Sequence, residues 1–322
     1  MPRRLMLAIA VLLIVANAGA QTKYPPETRN AALRYWFAFA DLQDSASDQD
    51  TQSLLERIAA GEAAWDEAKL GAVLDKNETA IVHMQRATTL PECDWGLAYS
   101  DAWQASIAYA PKARVLARLN TVYGARLAAR GETQKAVDSW LAGVRFSQHV
   151  AKGGPLIFAL IAKATLLPNL KALTHAAQDG SLSAAQRKQI ETAIRALPES
   201  AFDWSEAVRL EEAGLDLAMD QIAAAKDPLR YYQDVQGTAA PQGFKLPTAE
   251  ERLAFHKLML SAEKALGQPP DQVNEKLKML QVQIGKMPQF FQQLTPSFTK
   301  ENEARAQIAA ARGQLLQALA SK

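Results

Sequence analysis

The chain has 322 residues, 48% of them hydrophobic, with 36 Lys and Arg against 34 Asp and Glu and a single cysteine. One thiol cannot pair within the chain, so a disulfide framework is excluded and folding has to rest on packing. Basic and acidic residues are interleaved, without the basic stripe that nucleic-acid or anionic-membrane binding requires.

Residues 1–20 follow the order of a secretory signal: Arg3 and Arg4, an apolar run over 5–15, then Ala18-Gly19-Ala20 before Gln21. The apolar run is shorter than the ~20 residues a membrane-spanning helix needs. Cleavage after Ala20 is therefore expected. It places the mature chain in the periplasm or outside the cell, with no transmembrane segment, and by removing two arginines it balances the formal charges.

Apolar residues then recur at helical spacing along most of the chain, with no sustained period-two alternation, which predicts an all-α fold. Leu116, Leu119, Tyr123 and Leu127 mark one helix face from Pro111 until Gly131 interrupts, and Val137, Trp140, Leu141 and Val144 mark the next, up to Gly153-Gly154. So short a connection predicts an antiparallel hairpin over 111–152. Residues 154–173 are the most apolar after the leader, but Lys163 and Lys171 interrupt them and Pro155 and Pro168 bracket them, so a buried helix is expected and not a span. Ser183 with Gln186, Asp203 with Glu206 and Thr248 with Glu251 are capping pairs that each open a helix. Asp227-Pro228 reads as a helix end. The stretch GTAAPQGFKLP, 237–247, reads as a linker between an N-terminal helical domain, 21–236, and a C-terminal segment, 248–322. Beyond it Val273, Leu277, Leu280, Ile284 and Met287 form a short heptad-like seam, and a last helix carries Ile308, Leu315 and Leu319.

The stretch NTVYGARLAARGETQKAVDSWLAG, 120–143, resembles a tetratricopeptide repeat. Gly124, Gly131, Ala136, Trp140 and Gly143 stand at that family's spacings, small residues where two helices touch and one large ring beside them. Asn120, Leu127 and Gln148 depart from the pattern, and one unit matches, so the resemblance implies an irregular repeat-like array or bundle. It also implies that the first helix lines a concave groove, with Arg118 and Thr121 pointing into it toward another envelope protein or a peptide.

Two segments echo each other: LPECDW, 90–95, and LPESAFDW, 197–204. In both, proline ends a helix, an aspartate is placed to cap the next, and an indole follows. Ser200 stands where Cys93 does, which favours a buried, unreactive thiol over a nucleophile. Glu199-Ser200-Ala201-Phe202 resembles the glutamate-serine-x-phenylalanine motif of lytic transglycosylases, and that resemblance implies peptidoglycan cleavage with Glu199 as acid/base. Such a carboxyl has to be held protonated in a water-poor pocket. His83, His149, His175 and His256 show no metal-ligand spacing, and no metal or cofactor is expected. Ser261-x-x-Lys264 and Ser297-x-x-Lys300 match a serine-lysine motif twice over, with no companion motif. The sequence thus points to an exported helical scaffold that offers a groove to another macromolecule, with the Glu199 enzyme as the alternative.

Overall fold

Short-range chemistry sets several of the helix starts, where Asn30, Asp66, Ser183, Asp203, Asp227 and Thr248 each accept a bond from a first-turn N–H. A computed structural model describes residues 27–43, 49–104, 107–237 and 244–321. The expected leader, residues 1–20, and residues 238–243 of the expected linker lie outside the described residues. The helices are α1 (Ala31–Asp41), α2 (Gln49–Ala59), α3 (Glu67–Ala87), α4 (Tyr109–Ala129), α5 (Thr133–Ala151), α6 (Leu156–Gln178) and α7 (Ala184–Arg195). They continue with α8 (Trp204–Ala224), α9 (Pro228–Gln236), α10 (Ala249–Leu266), α11 (Asn274–Ile284), α12 (Gln289–Leu294) and α13 (Phe298–Ala320). Among the described residues there is no β-strand, only an isolated parallel bridge between Asn30 and Glu92. The fold is all-α.

Two capping boxes form in full. Ser183 Oγ accepts from the Gln186 N–H while Gln186 Oε1 accepts from the Ser183 N–H at 2.8 Å, and Thr248 and Glu251 do the same at the start of α10. Each is worth about 1 kcal/mol. Asp203 caps α8 by accepting from the Glu206 N–H at 2.9 Å, but Glu206 does not reach back. Its carboxylate is taken by Arg209 at 2.7 Å. Asp227 departs from expectation: α8 has already ended at Ala224, and Asp227 opens α9 by accepting from the Arg230 N–H at 3.0 Å, with Pro228 at the first helical position.

The first corner also differs from its echo. Asp94 starts no helix. Gly96, at φ 65°, turns the chain immediately after Trp95, and Asp94 Oδ1 accepts from the Gly96 N–H at 2.9 Å while its own N–H donates to Asn30 Oδ1. The chain then has no regular secondary structure as far as Ala98.

Packing is organised around α5 and α6. The hairpin of α4 and α5 turns at Gly131, φ 76°, and Gly124 seats directly against the indole of Trp140, where a Cβ would overlap the ring. Gly143 seats in the same way against Asn169 of α6. At position 120, polar bonding replaces an aromatic contact: the buried Asn120 donates to the Ser139 carbonyl at 2.8 Å and accepts from Gln85 at 2.9 Å, tying α3, α4 and α5. By length and composition α6 could cross a membrane, yet half of its apolar window is buried. Leu156, Phe158, Ala162, Leu166 and Leu173 are covered by neighbouring helices. The C-terminal helix α13 runs along α6, and one continuous core extends from Tyr35 in α1 to Leu315 in α13. The expected seam is in it: Val273, Leu277, Leu280 and Ile284 are buried.

Candidate functional site

Where the N-terminal end of α6 meets α8 and the start of α13, packing leaves a cavity of about 590 Å³. That lies inside the range of roughly 300–1,000 Å³ typical of small-molecule sites. Its walls are apolar. Leu156, Ile157 and Leu160 come from α6, Leu210, Gly214 and Leu217 from one face of α8, and Leu97 and Ile107 from the segment joining α3 to α4. Gly214 opens the α8 wall, because a Cβ there would meet nothing within 4 Å.

Two carboxyls enter this apolar space. Glu211 of α8 is anchored: its Oε2 accepts from the Leu156 N–H, the first of α6, at 3.2 Å, so it serves an otherwise unpaired amide of the helix start. Glu301, in the first turn of α13, is only 4% exposed, and its Oε2 is buried without a hydrogen-bond partner among the described residues. Burial raises both acids. For Glu301 the effect is large: burial, with the nearby Glu211 charge adding to it and Lys163 opposing it, pushes the carboxyl up to about 7. Burial also raises Glu211, against the Leu156 amide. Tyr99, at the rim, is already committed, its hydroxyl donating to the Gly153 carbonyl. Among the described residues no lysine or arginine lines the cavity.

The residues singled out in the sequence lie elsewhere. Glu199 is exposed in the turn between α7 and α8 and lines none of the cavities described. The turn is tightly made: Ala201 has φ 61°, and the buried Trp204 donates its indole N–H to the Ser200 carbonyl at 3.0 Å. Cys93 is 5% exposed, in the core that also holds Tyr35, Trp95, Tyr109 and Phe146. Trp95 stacks on Tyr109 with centroids 3.9 Å apart and donates to the His149 carbonyl at 2.8 Å. Burial pushes the Cys93 thiol up to about 12 and lowers His149 to about 4; the imidazole is tied through Nδ1 to the Tyr35 hydroxyl at 2.7 Å. At neutral pH, then, the sulfur is a thiol and the imidazole is neutral, which is not the thiolate pair of a cysteine nucleophile. Arg118 and Thr121 both line a smaller hollow of about 210 Å³ beside Pro168. Arg118 is held there by Glu56 at 2.8 Å. The Thr121 hydroxyl is buried, bonded to the Ala117 carbonyl and to Asn169.

His83 and His256 are each paired with a single carboxylate, Asp41 and Glu212. Among the described residues no three His, Cys, Asp or Glu side chains converge. The Ser261 hydroxyl turns back onto the Lys257 carbonyl at 2.9 Å.

Glu211 and Glu301 carried a signal in the sequence. Glu211 stands three after Val208 and four before Leu215, on the buried face of α8, and Glu301 stands three after Phe298 and seven before Ile308, on the buried face of α13. A carboxylate on an apolar stripe is buried by the helix that carries it. Read among neighbouring acids and lysines, each passes for a solvated position. Comparisons with protein-family models, with curated proteins and with solved structures give no match.

Proposed function

We propose that the chain is an exported helical binding protein, with no catalytic role, whose site is the cavity between α6, α8 and α13. The observation that carries the reading is Glu301: an acid placed almost entirely out of water, with an oxygen that has no bonded partner among the described residues, in a largely apolar space large enough for a ligand. An unpaired buried carboxyl costs stability, and a ligand that uses it offsets that cost. Export belongs to the same proposal and rests on the leader-like order of residues 1–20. Under this reading α6 is a core helix and not a membrane span.

The macromolecular scaffold reading keeps support from one feature. An open groove of about 800 Å³, bounded by Trp65, Trp140, Lys171, His175 and Asp179, has the mixed polarity of a peptide-binding surface. The α6–α8–α13 cavity is favoured because its unpaired carboxyl asks for a partner, whereas the groove's polar groups face solvent.

The test is equilibrium titration of the full chain with the neutral fluorophore N-phenyl-1-naphthylamine. One saturable site is expected, abolished by Gly214→Phe, which projects a ring into the cavity from an open position on α8. Absence of saturable fluorescence, or binding indifferent to that substitution, would count against the site.

A further inference from the structure

We infer that the ligand of this cavity is an amphipathic amine, its apolar body lying along α6 and α8 and its cationic nitrogen meeting Glu301 and Glu211. The inference rests on the reading of the cavity as a binding site and adds the chemistry of the occupant.

The lining decides the sign. Of the side chains that bound the space, Glu211 and Glu301 are the groups able to carry charge near neutral pH, and both are acids. They come from different helices, one from the middle of α8 and one from the start of α13, so the cavity is the place where their fields overlap. One oxygen of Glu211 is already spent on the Leu156 amide, and the Tyr99 hydroxyl is spent on Gly153. Among the described residues the buried Oε2 of Glu301 is left without a donor. A ligand that brings N–H donors and positive charge to it forms a charge-assisted hydrogen bond in a low-dielectric site. A carboxylate or phosphate ligand would meet two acids with no counter-ion among the described residues of the wall. A neutral alcohol would bond to the carboxyl in its protonated form and gain no charge-assisted bond.

Lys163 of α6 is the basic group that acts on Glu301, and it lowers the acid's pKa without lining the cavity. Its charge does not relieve the carboxyl, which burial and Glu211 still hold well above the ordinary range. A cation inside the cavity acts at closer quarters and displaces the proton. Amine binding is therefore coupled to proton release, which alcohol binding is not.

The experiment compares three probes of one chain length, dodecylamine, dodecanol and dodecanoate, by calorimetric titration of the full chain below their critical concentrations at pH 6.5 in two buffers of different ionisation enthalpy. The amine is expected to bind at least about tenfold more tightly than the alcohol, the margin of one charge-assisted bond, with a buffer-dependent heat that shows proton release and with dodecanoate weakest. In Glu301→Gln the amine's advantage over the alcohol is expected to fall to about twofold or less, while the alcohol's affinity holds. Equal binding of amine and alcohol, an advantage that survives Glu301→Gln, or preference for dodecanoate would overturn the assignment of a cationic ligand while leaving the cavity a binding site. Failure of all three probes would overturn both. The head-group comparison in the unsubstituted chain stands without any variant, should Glu301→Gln fold poorly.

Discussion

Gly124 of α4 lies against the indole of Trp140 of α5 so closely that a Cβ on the glycine would overlap the ring, and the indole N–H donates to the Thr121 carbonyl at 3.1 Å. The hairpin closes on this contact. Gly124→Ala is therefore expected to destabilise the protein by about 1–3 kcal/mol through overpacking, although alanine is the better helix former by about 1 kcal/mol. Gly214→Ala, with open space around its Cβ, is expected to stabilise by about 0.5–1 kcal/mol. Urea unfolding of the two variants beside the parent separates packing from propensity. A neutral Gly124→Ala would remove the close contact from the account.

That contact was legible in the sequence because it is local. Small residues and one large aromatic at fixed spacing across a short turn leave few ways to pack, and the capping pairs at Ser183 and Thr248 are decided within four residues. The Asp94 corner was not legible, because the same Leu-Pro-Glu start meets Gly96 in one copy and Ser205-Glu206 in the other. The first then completes itself through Asn30, 64 residues away. The cavity acids were harder still. Glu211 and Glu301 come together only when α13 folds back along α6, and no spacing in the sequence records that docking.

The thiol in the aromatic core gives a second prediction. Cys93 is buried, its pKa is raised to about 12, and its Sγ donates weakly to the His149 carbonyl at 3.8 Å. Reaction with an aromatic disulfide reagent at pH 8 is expected to be slow in the native protein and to follow the unfolding equilibrium as urea is added. Cys93→Ser is expected to cost no more than about 1 kcal/mol, because the His149 carbonyl is already placed to accept from the hydroxyl. Rapid stoichiometric labelling of the folded chain would contradict a buried, neutral thiol.

Trp95 contributes by area and by geometry. It stacks on Tyr109 and Tyr35 and satisfies its N–H on α5. Trp95→Ala is expected to cost about 3–5 kcal/mol, and Trp95→Phe clearly less, the difference showing in thermal unfolding midpoints. Equal losses would mean that the stack is not what holds this corner.

The pH dependence of stability follows from two groups with opposite signs, the buried Glu301 and the half-buried His149. Glu301 titrates near 7 when folded against 4.5 as its ordinary value, so the folded state holds the extra proton between those values. Its contribution to stability is complete at low pH and is lost as pH rises from about 4.5 to 7, by up to roughly 3 kcal/mol. His149 is lowered from 6.5 to about 4. Its neutral form is favoured in the fold, so its contribution is complete above 6.5 and is lost as pH falls toward 4. Glu301→Gln is accordingly expected to be more stable than the parent at pH 8, with the gain shrinking to nothing near pH 4.5. A gain that is the same at both pH values would show that Glu301 is not titrating in a buried site.

The most direct measurement of the central claim is a methyl spectrum of the full chain, labelled at Leu and Ile, titrated with dodecylamine. The account predicts saturable shifts concentrated at Leu156, Ile157, Leu160, Leu210 and Leu217, together with a suppressed response in Gly214→Phe. Shifts that gather instead at Ile58, in the open groove beside Trp65, or that spread evenly without saturation, would contradict it.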